Sequence, residues 1–139
     1  MRSFSFRQTI LTVILCIVSG LILLSCTKSP INGDLDGQWE VMDVYPSPSV
    51  NIIPERLYYN FSLHVCMLSY YGGTFLFANM RYDGDTLILD FAEDKSEEDI
   101  LALQQYGILT NPITFKVKYG DKHHLTLYND QSEVILVKN

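Results

Sequence analysis

Few side chains in this 139-residue chain have the chemistry for catalysis or metal binding: three histidines, an isolated Cys66 and an acidic stretch from Asp90 to Asp99. His123 and His124 are adjacent, so on a strand they point to opposite faces and cannot chelate one metal together. His64 is distant in sequence, and no cysteine pair accompanies any of them. Asp83-Gly84-Asp85 lacks the spaced oxygen ligands and terminal glutamate of an EF-hand loop and reads as a hairpin turn. Glu93, Asp94, Glu97, Glu98 and Asp99 would suit glycoside hydrolysis only if two carboxyls faced each other across a cleft of about 5–10 Å. A contiguous acidic run is more simply a solvated face. No nucleophile elbow, phosphate-binding glycine loop or Ser/His/Asp constellation is present. Cys66 lies within a strand pattern, and His64 is its only local source of positive charge, so it reads as a small, inert core residue. The sequence therefore predicts no catalytic residue, no metal site, no cofactor and no enzymatic activity.

The amino terminus carries a different kind of chemistry. Arg2 and Arg7 precede an apolar run from Ile10 to Leu24, and Ser25 is a small residue ahead of Cys26, the layout of a secretory signal. Roughly fifteen residues at about 1.5 Å each reach about 22 Å, short of a hydrocarbon core of about 30 Å, and Ser19-Gly20 interrupts the run. An uncleaved membrane anchor is thus disfavoured. Leu23-Leu24-Ser25-Cys26 resembles a bacterial lipobox. That resemblance implies that residues 1–25 are a cleaved signal peptide and that Cys26 is acylated on its sulfur and on its new amino group. It implies a lipid-anchored envelope protein. Thr27 replaces an aspartate retention signal and no acidic run follows Cys26, so the periplasmic face of the outer membrane is favoured, with the cell surface as the alternative.

Composition narrows the partners. Residues 26–139 suffice for one compact domain and are too few for two. The whole chain has a formal charge of −6, and loss of the two signal-segment arginines takes it to −8. So acidic a domain argues against nucleic acid. Anionic headgroups would repel it too, leaving the acyl chains on Cys26 as the membrane contact.

Residues 26–36, with Pro30, Asn32 and Gly33, show no hydrophobic period and read as the lipidated cysteine followed by a flexible tether. From Gly37 onward the pattern is alternation. The period of two predicts strands at Gln38 to Val44, Leu57 to Leu68, Thr74 to Tyr82, Thr86 to Phe91, Ile113 to Tyr119, His124 to Tyr128 and Glu133 to Lys138. A weaker candidate for an eighth lies at Val50 to Ile53. Gly72-Gly73, Asp83-Gly84-Asp85, Gly120-Asp121-Lys122 and Asn129 to Ser132 supply short turns that favour antiparallel neighbours. Ser96 followed by Glu97, Glu98 and Asp99, then apolar Ile100, Leu101, Leu103 and Tyr106 and a Gly107 stop, predicts one inserted helix.

Gly37-Gln38-Trp39 resembles the Gly-x-Trp signature of lipocalins, in which the tryptophan closes the barrel floor. Leu125-Thr126-Leu127 and Val134 to Lys138 resemble the final hairpin of lipocalin-like domains of bacterial envelope lipoproteins. The resemblance implies that residues 37–139 form an all-β, small antiparallel up-and-down barrel of seven or eight strands. It further implies non-catalytic binding of a small hydrophobic or amphipathic ligand. The alternative is a filled barrel acting as an accessory module for another envelope protein. Nine tyrosines and Trp39 suit either a densely filled interior or a stacking pocket. The residues expected to line such a pocket are Trp39, Tyr59, Phe61, Phe77 and Tyr119, with Leu103 and Tyr106 at its mouth and Phe75 also facing inward.

Overall fold

The computed structural model describes residues 2–25, 31–73, 75–92 and 95–138. Cys26, the expected lipidation site, lies outside these residues, as do Thr27 to Pro30 of the tether. Helix α1 spans Arg2–Ser25. Among the described residues, no helix is long and apolar enough to cross a membrane.

Eight strands form a closed barrel: β1 (Gly37–Tyr45), β2 (Leu57–Ser62), β3 (Val65–Tyr70), β4 (Leu76–Asp83), β5 (Thr86–Phe91), β6 (Ile113–Asp121), β7 (His124–Tyr128) and β8 (Glu133–Lys138). Each pairs antiparallel with its successor, and β8 closes on β1 from Trp39↔Lys138 to Tyr45↔Glu133. Closure leaves no unpaired strand edge to recruit another chain. Helix α2 (Glu97–Gln105) is the insertion between β5 and β6.

The eighth strand does not come from Val50 to Ile53, which is irregular. It comes from the long alternating run at Leu57 to Leu68, which is two strands joined by a two-residue turn at Leu63-His64. In an antiparallel pair, directly opposed residues share a face. A two-residue turn makes the pairing Ser62↔Val65, Phe61↔Cys66 and Tyr59↔Leu68, so odd-numbered residues on β2 face the same side as even-numbered ones on β3. The core accordingly receives Tyr59 and Phe61, then Cys66 and Leu68, while Val65 is exposed.

The barrel floor begins earlier than the expected tether allowed. Gly33–Leu35 form a 3₁₀ turn that carries Leu35 to complete burial. Asn32 Nδ2 donates to Asp36 Oδ1 at 2.7 Å and to the Leu63 carbonyl at 2.9 Å, so residues 32–36 are part of the fold. Trp39 Nε1 donates to the Leu35 carbonyl at 2.8 Å, and the Lys138 ammonium lies 5.2 Å from the Trp39 ring centroid. Gly37 permits this arrangement: its φ is +127°, and a Cβ there would meet Lys138 Cε at 2.8 Å.

At the opposite end, α2 starts at a capping box in which the Asp99 amide donates to Ser96 Oγ and the Ser96 amide to Asp99 Oδ2. Three acids in its first turn, Glu97, Glu98 and Asp99, complement the helix dipole. Beyond the helix, Asn111 extends the β5–β6 ladder with its side chain. Leu89↔Ile113 is the last backbone pair, Pro112 has no N–H, and Asn111 Oδ1 and Nδ2 take up the Phe91 amide and carbonyl at 2.9 and 3.0 Å.

Candidate functional site

The inner face of the barrel is solid. Trp39, Tyr59, Leu87, Leu89, Phe115, Leu127, Val134 and Leu136 expose none of their surface, and Phe61, Leu68 and Phe91 almost none. A cavity large enough for water beside these side chains would leave part of their surface accessible. An eight-stranded barrel is about the size at which side chains alone fill the interior.

Five of the seven expected pocket residues are brought together here, as packing. Trp39 lies on the floor. Tyr59 and Phe61 stack at a centroid separation of 5.7 Å and an interplanar angle of 28°. Leu103 of α2 and Tyr106, just past its end, descend into the same cluster. Phe77 and Tyr119 do not join it. Phe77 is 57% exposed on the outer face, because it opposes Met67 and shares the parity of Phe75, which is also exposed. Inward positions on β4 are Ala78 and Met80. Tyr119 lies near the floor end of β6, beyond inward Val117, with its hydroxyl 3.4 Å from that of Tyr82.

Polar groups inside the cluster are held in their neutral forms. Burial raises the pKa of the Tyr59 hydroxyl, as does the nearby Cys66 thiol. Burial likewise raises that of Cys66. Tyr106 is raised by burial first and then by Tyr70 and Cys66. Cys66 is therefore far from the thiolate form that nucleophilic chemistry requires. Among the described residues, no group of three or more His, Cys, Asp or Glu side chains is placed to hold a metal ion.

Open space occurs instead at the mouth. A recess of about 250 Å³ lies between α2, the 46–56 loop and the upper ends of β3 and β4, with Ile52, Ile53, Leu68, Leu76, Ala102 and Tyr106 among its lining residues. Tyr70 also borders it, and Glu98 and Asp99 lie on the α2 side. The Asp99 carboxylate is occupied by the capping box, whereas the Glu98 carboxylate has no hydrogen-bond or ion-pair partner among the described residues. The recess can accept a small apolar group and place a polar or cationic end beside Glu98.

Gln105 builds that recess. Its side chain is buried, and Oε1 accepts the Ile52 and Ile53 amides at 3.1 and 2.9 Å while Nε2 donates to Asn51 Oδ1 and the Ile53 carbonyl. The amide thus serves the irregular 51–53 segment as a neighbouring strand would, satisfying backbone groups that have no ladder partner. Neither Gln105 nor Ile52 and Ile53 were among the residues expected at a site. Neither the helical Gln104-Gln105 pair nor the Ile52-Ile53-Pro54 stretch carries a periodic signal that would link them. Ser132 Oγ donates to the Gly107 carbonyl at 2.8 Å, joining the exit of α2 to the β7–β8 turn.

Two solved structures share this architecture. A lipocalin-like protein from Bacteroides uniformis is 21% identical, with a TM-score of 0.56 over 77% of this chain and 100% of that one. An uncharacterized protein from Bacteroides eggerthii is 15% identical, with a TM-score of 0.52 over 75% of this chain and 98% of that one. At these identities the likeness is one of fold. No functionally curated protein matches. The profile of the lipocalin-like domain matches residues 21–138, nearly the whole chain, and with the closed eight-stranded barrel it places this protein in the family of lipocalin-like domains.

Proposed function

We propose that this protein is a lipid-anchored component of a bacterial cell envelope that works by binding and not by catalysis, taking a small apolar or amphipathic group at the mouth of its barrel. Cys26 supplies the anchor in this reading. The observation that carries the binding role is the contrast between a filled interior and a recess of about 250 Å³ under α2. That volume is below the usual range for drug-sized ligands, about 300–1,000 Å³, and fits part of a ligand, such as a short acyl or aryl group. The test uses N-phenyl-1-naphthylamine, an uncharged apolar fluorophore, titrated into the full chain. Saturable enhancement that is lost in Ala102→Trp, which fills the recess from α2, is the expected result. Absence of saturable enhancement in the parent protein would overturn mouth binding.

A second reading has its own observation. Val65, Phe75 and Phe77 are exposed on the β3–β4 face, beside partly buried Met67. An apolar stripe on a filled barrel favours an accessory role toward another envelope protein. Replacing Phe75 and Phe77 with serine would abolish such an association and leave fluorophore binding unchanged.

A further inference from the structure

Leu63 is anomalous in both conformation and exposure. It is the first residue of the two-residue β2–β3 turn, with φ of +54°, where hairpins ordinarily place glycine. Its side chain is 56% exposed and does not belong to the hydrophobic core. The turn alone would be better served by glycine, so the leucine calls for another explanation.

The turn lies on the floor of the barrel, where the chain enters. The Asn32 side chain grips the Leu63 carbonyl at 2.9 Å, and the preceding Ile31 is 63% exposed. Val65, also exposed, follows two residues after Leu63. Three exposed branched aliphatic residues therefore lie at the end of the barrel where the amino-terminal segment arrives. Ile31 is five residues from Cys26, a separation of at most about 18 Å even when fully extended.

We propose that Ile31, Leu63 and Val65 form an apolar footing that enters the interfacial layer of a zwitterionic bilayer beside the acyl chains of Cys26. The barrel then stands floor-down with its recess turned away from the membrane. This inference rests on the anchoring reading above. The charges on the floor agree with that choice of lipid. Asp34, Asp36, Asp83, Asp85 and Asp121 there are set against Lys116, Lys118, Lys122 and Lys138, a near-balance with acid in slight excess that suits zwitterionic headgroups and gives anionic ones no net attraction. Asp36, Asp85 and Asp121 are already engaged by Asn32, Lys116 and His124, which limits the charge presented to the surface.

The test is tryptophan depth quenching in the full chain, expressed with its own signal in a bacterium. The protein is reconstituted into phosphatidylethanolamine/phosphatidylcholine vesicles with and without acyl-brominated lipid. Leu63→Trp and Ile31→Trp report on the floor, and Tyr71→Trp, on a strongly exposed residue in the β3–β4 connection, reports on the mouth. Trp39, buried in every variant, supplies a common background. Two independent floor reporters guard against one substitution disturbing its turn. The expected result is quenching of both floor reporters at least twofold greater than at the mouth. Equal quenching at both ends, or none at the floor, overturns the footing; floor reporters shielded by a co-purifying protein do so as well. The mass of the Cys26 peptide reads the anchor separately. Acylation without floor quenching refutes the footing alone. Floor quenching without acylation supports the footing and refutes the anchor, and loss of both refutes both.

Discussion

The Tyr59 hydroxyl donates to the Tyr106 carbonyl, and the two rings meet edge-on, with centroids 5.7 Å apart and planes at 78°. The hydroxyl of Tyr106 in turn donates to the Ser69 carbonyl at 2.5 Å. A residue just past α2 is thus stitched to the inner wall of β2 and to the backbone of β3. This linkage holds the inserted segment over the mouth. Tyr59→Phe keeps the edge-on ring contact and strands a buried carbonyl. The expected cost is about 1–3 kcal/mol, read as a lower urea midpoint with an unchanged m-value. Amide exchange at Leu103 to Gly107 should accelerate more than exchange in β6 to β8.

Gln105 invites a graded test because acceptor and donor do different work. Gln105→Glu keeps the acceptor for the Ile52 and Ile53 amides and loses the donors to Asn51 and the Ile53 carbonyl. Gln105→Leu loses both and leaves the 51–53 backbone without partners. The leucine variant should lose about 1–3 kcal/mol and become sensitive to limited proteolysis between Pro46 and Arg56. The glutamate variant should fall between it and the parent. Equal protease sensitivity in all three proteins would show that the loop is held by its apolar contacts.

Phe61 and Phe77 look alike in sequence, each sitting in an alternating aromatic strand, and the structure separates them completely. Phe61→Ala should cost about 3–5 kcal/mol, and Phe77→Ala should stay within about 0.5 kcal/mol of the parent in thermal or chemical denaturation. The contrast explains how far the fold could be read from sequence. Alternation gives the strand period, and Gly37 with Trp39 gives the floor, because both are local. Ser96 through Asp99 marks the start of α2 for the same reason. The phase of each strand is not local, since it depends on turn length, and the turn at Leu63-His64 carries none of the usual Gly or Asn to announce it. Without that turn, Val65 and Met67 inherit the inward parity of Tyr59 and Phe61. On β4, Phe77 is bulkier than Ala78 and Met80, as is Phe75 just before the strand, so size points inward while pairing with β3 sets the opposite face. The recess was hidden for a further reason: its walls include Ile52, Leu76 and Ala102 from three separate elements, and the Gln105 hydrogen bonds that hold the 51–53 segment to α2 leave no period in the sequence.

Three buried acids, Cys66, Tyr59 and Tyr106, fix the alkaline behaviour. All three have folded-state pKa values raised by burial, so the folded protein retains protons that the unfolded chain releases above about pH 8.5 for cysteine and about pH 10 for tyrosine. Above those values the unfolded state binds fewer protons than the native one, and stability must fall as pH rises, by up to about 1.4 kcal/mol per pH unit for each group. Their contribution is fully present at pH 7 and is lost progressively above about pH 8.5. Cys66→Ala should remove the first part of that decline, moving its onset toward pH 10, although the variant starts from a lower stability at pH 7 because a core side chain has been trimmed. Guanidinium midpoints measured at pH 7, 9 and 10.5 for both proteins distinguish the two effects. Parallel curves with an unchanged onset would show that the Cys66 thiol titrates in the folded state much as it does in the unfolded chain, and that the tyrosines alone govern the alkaline limit.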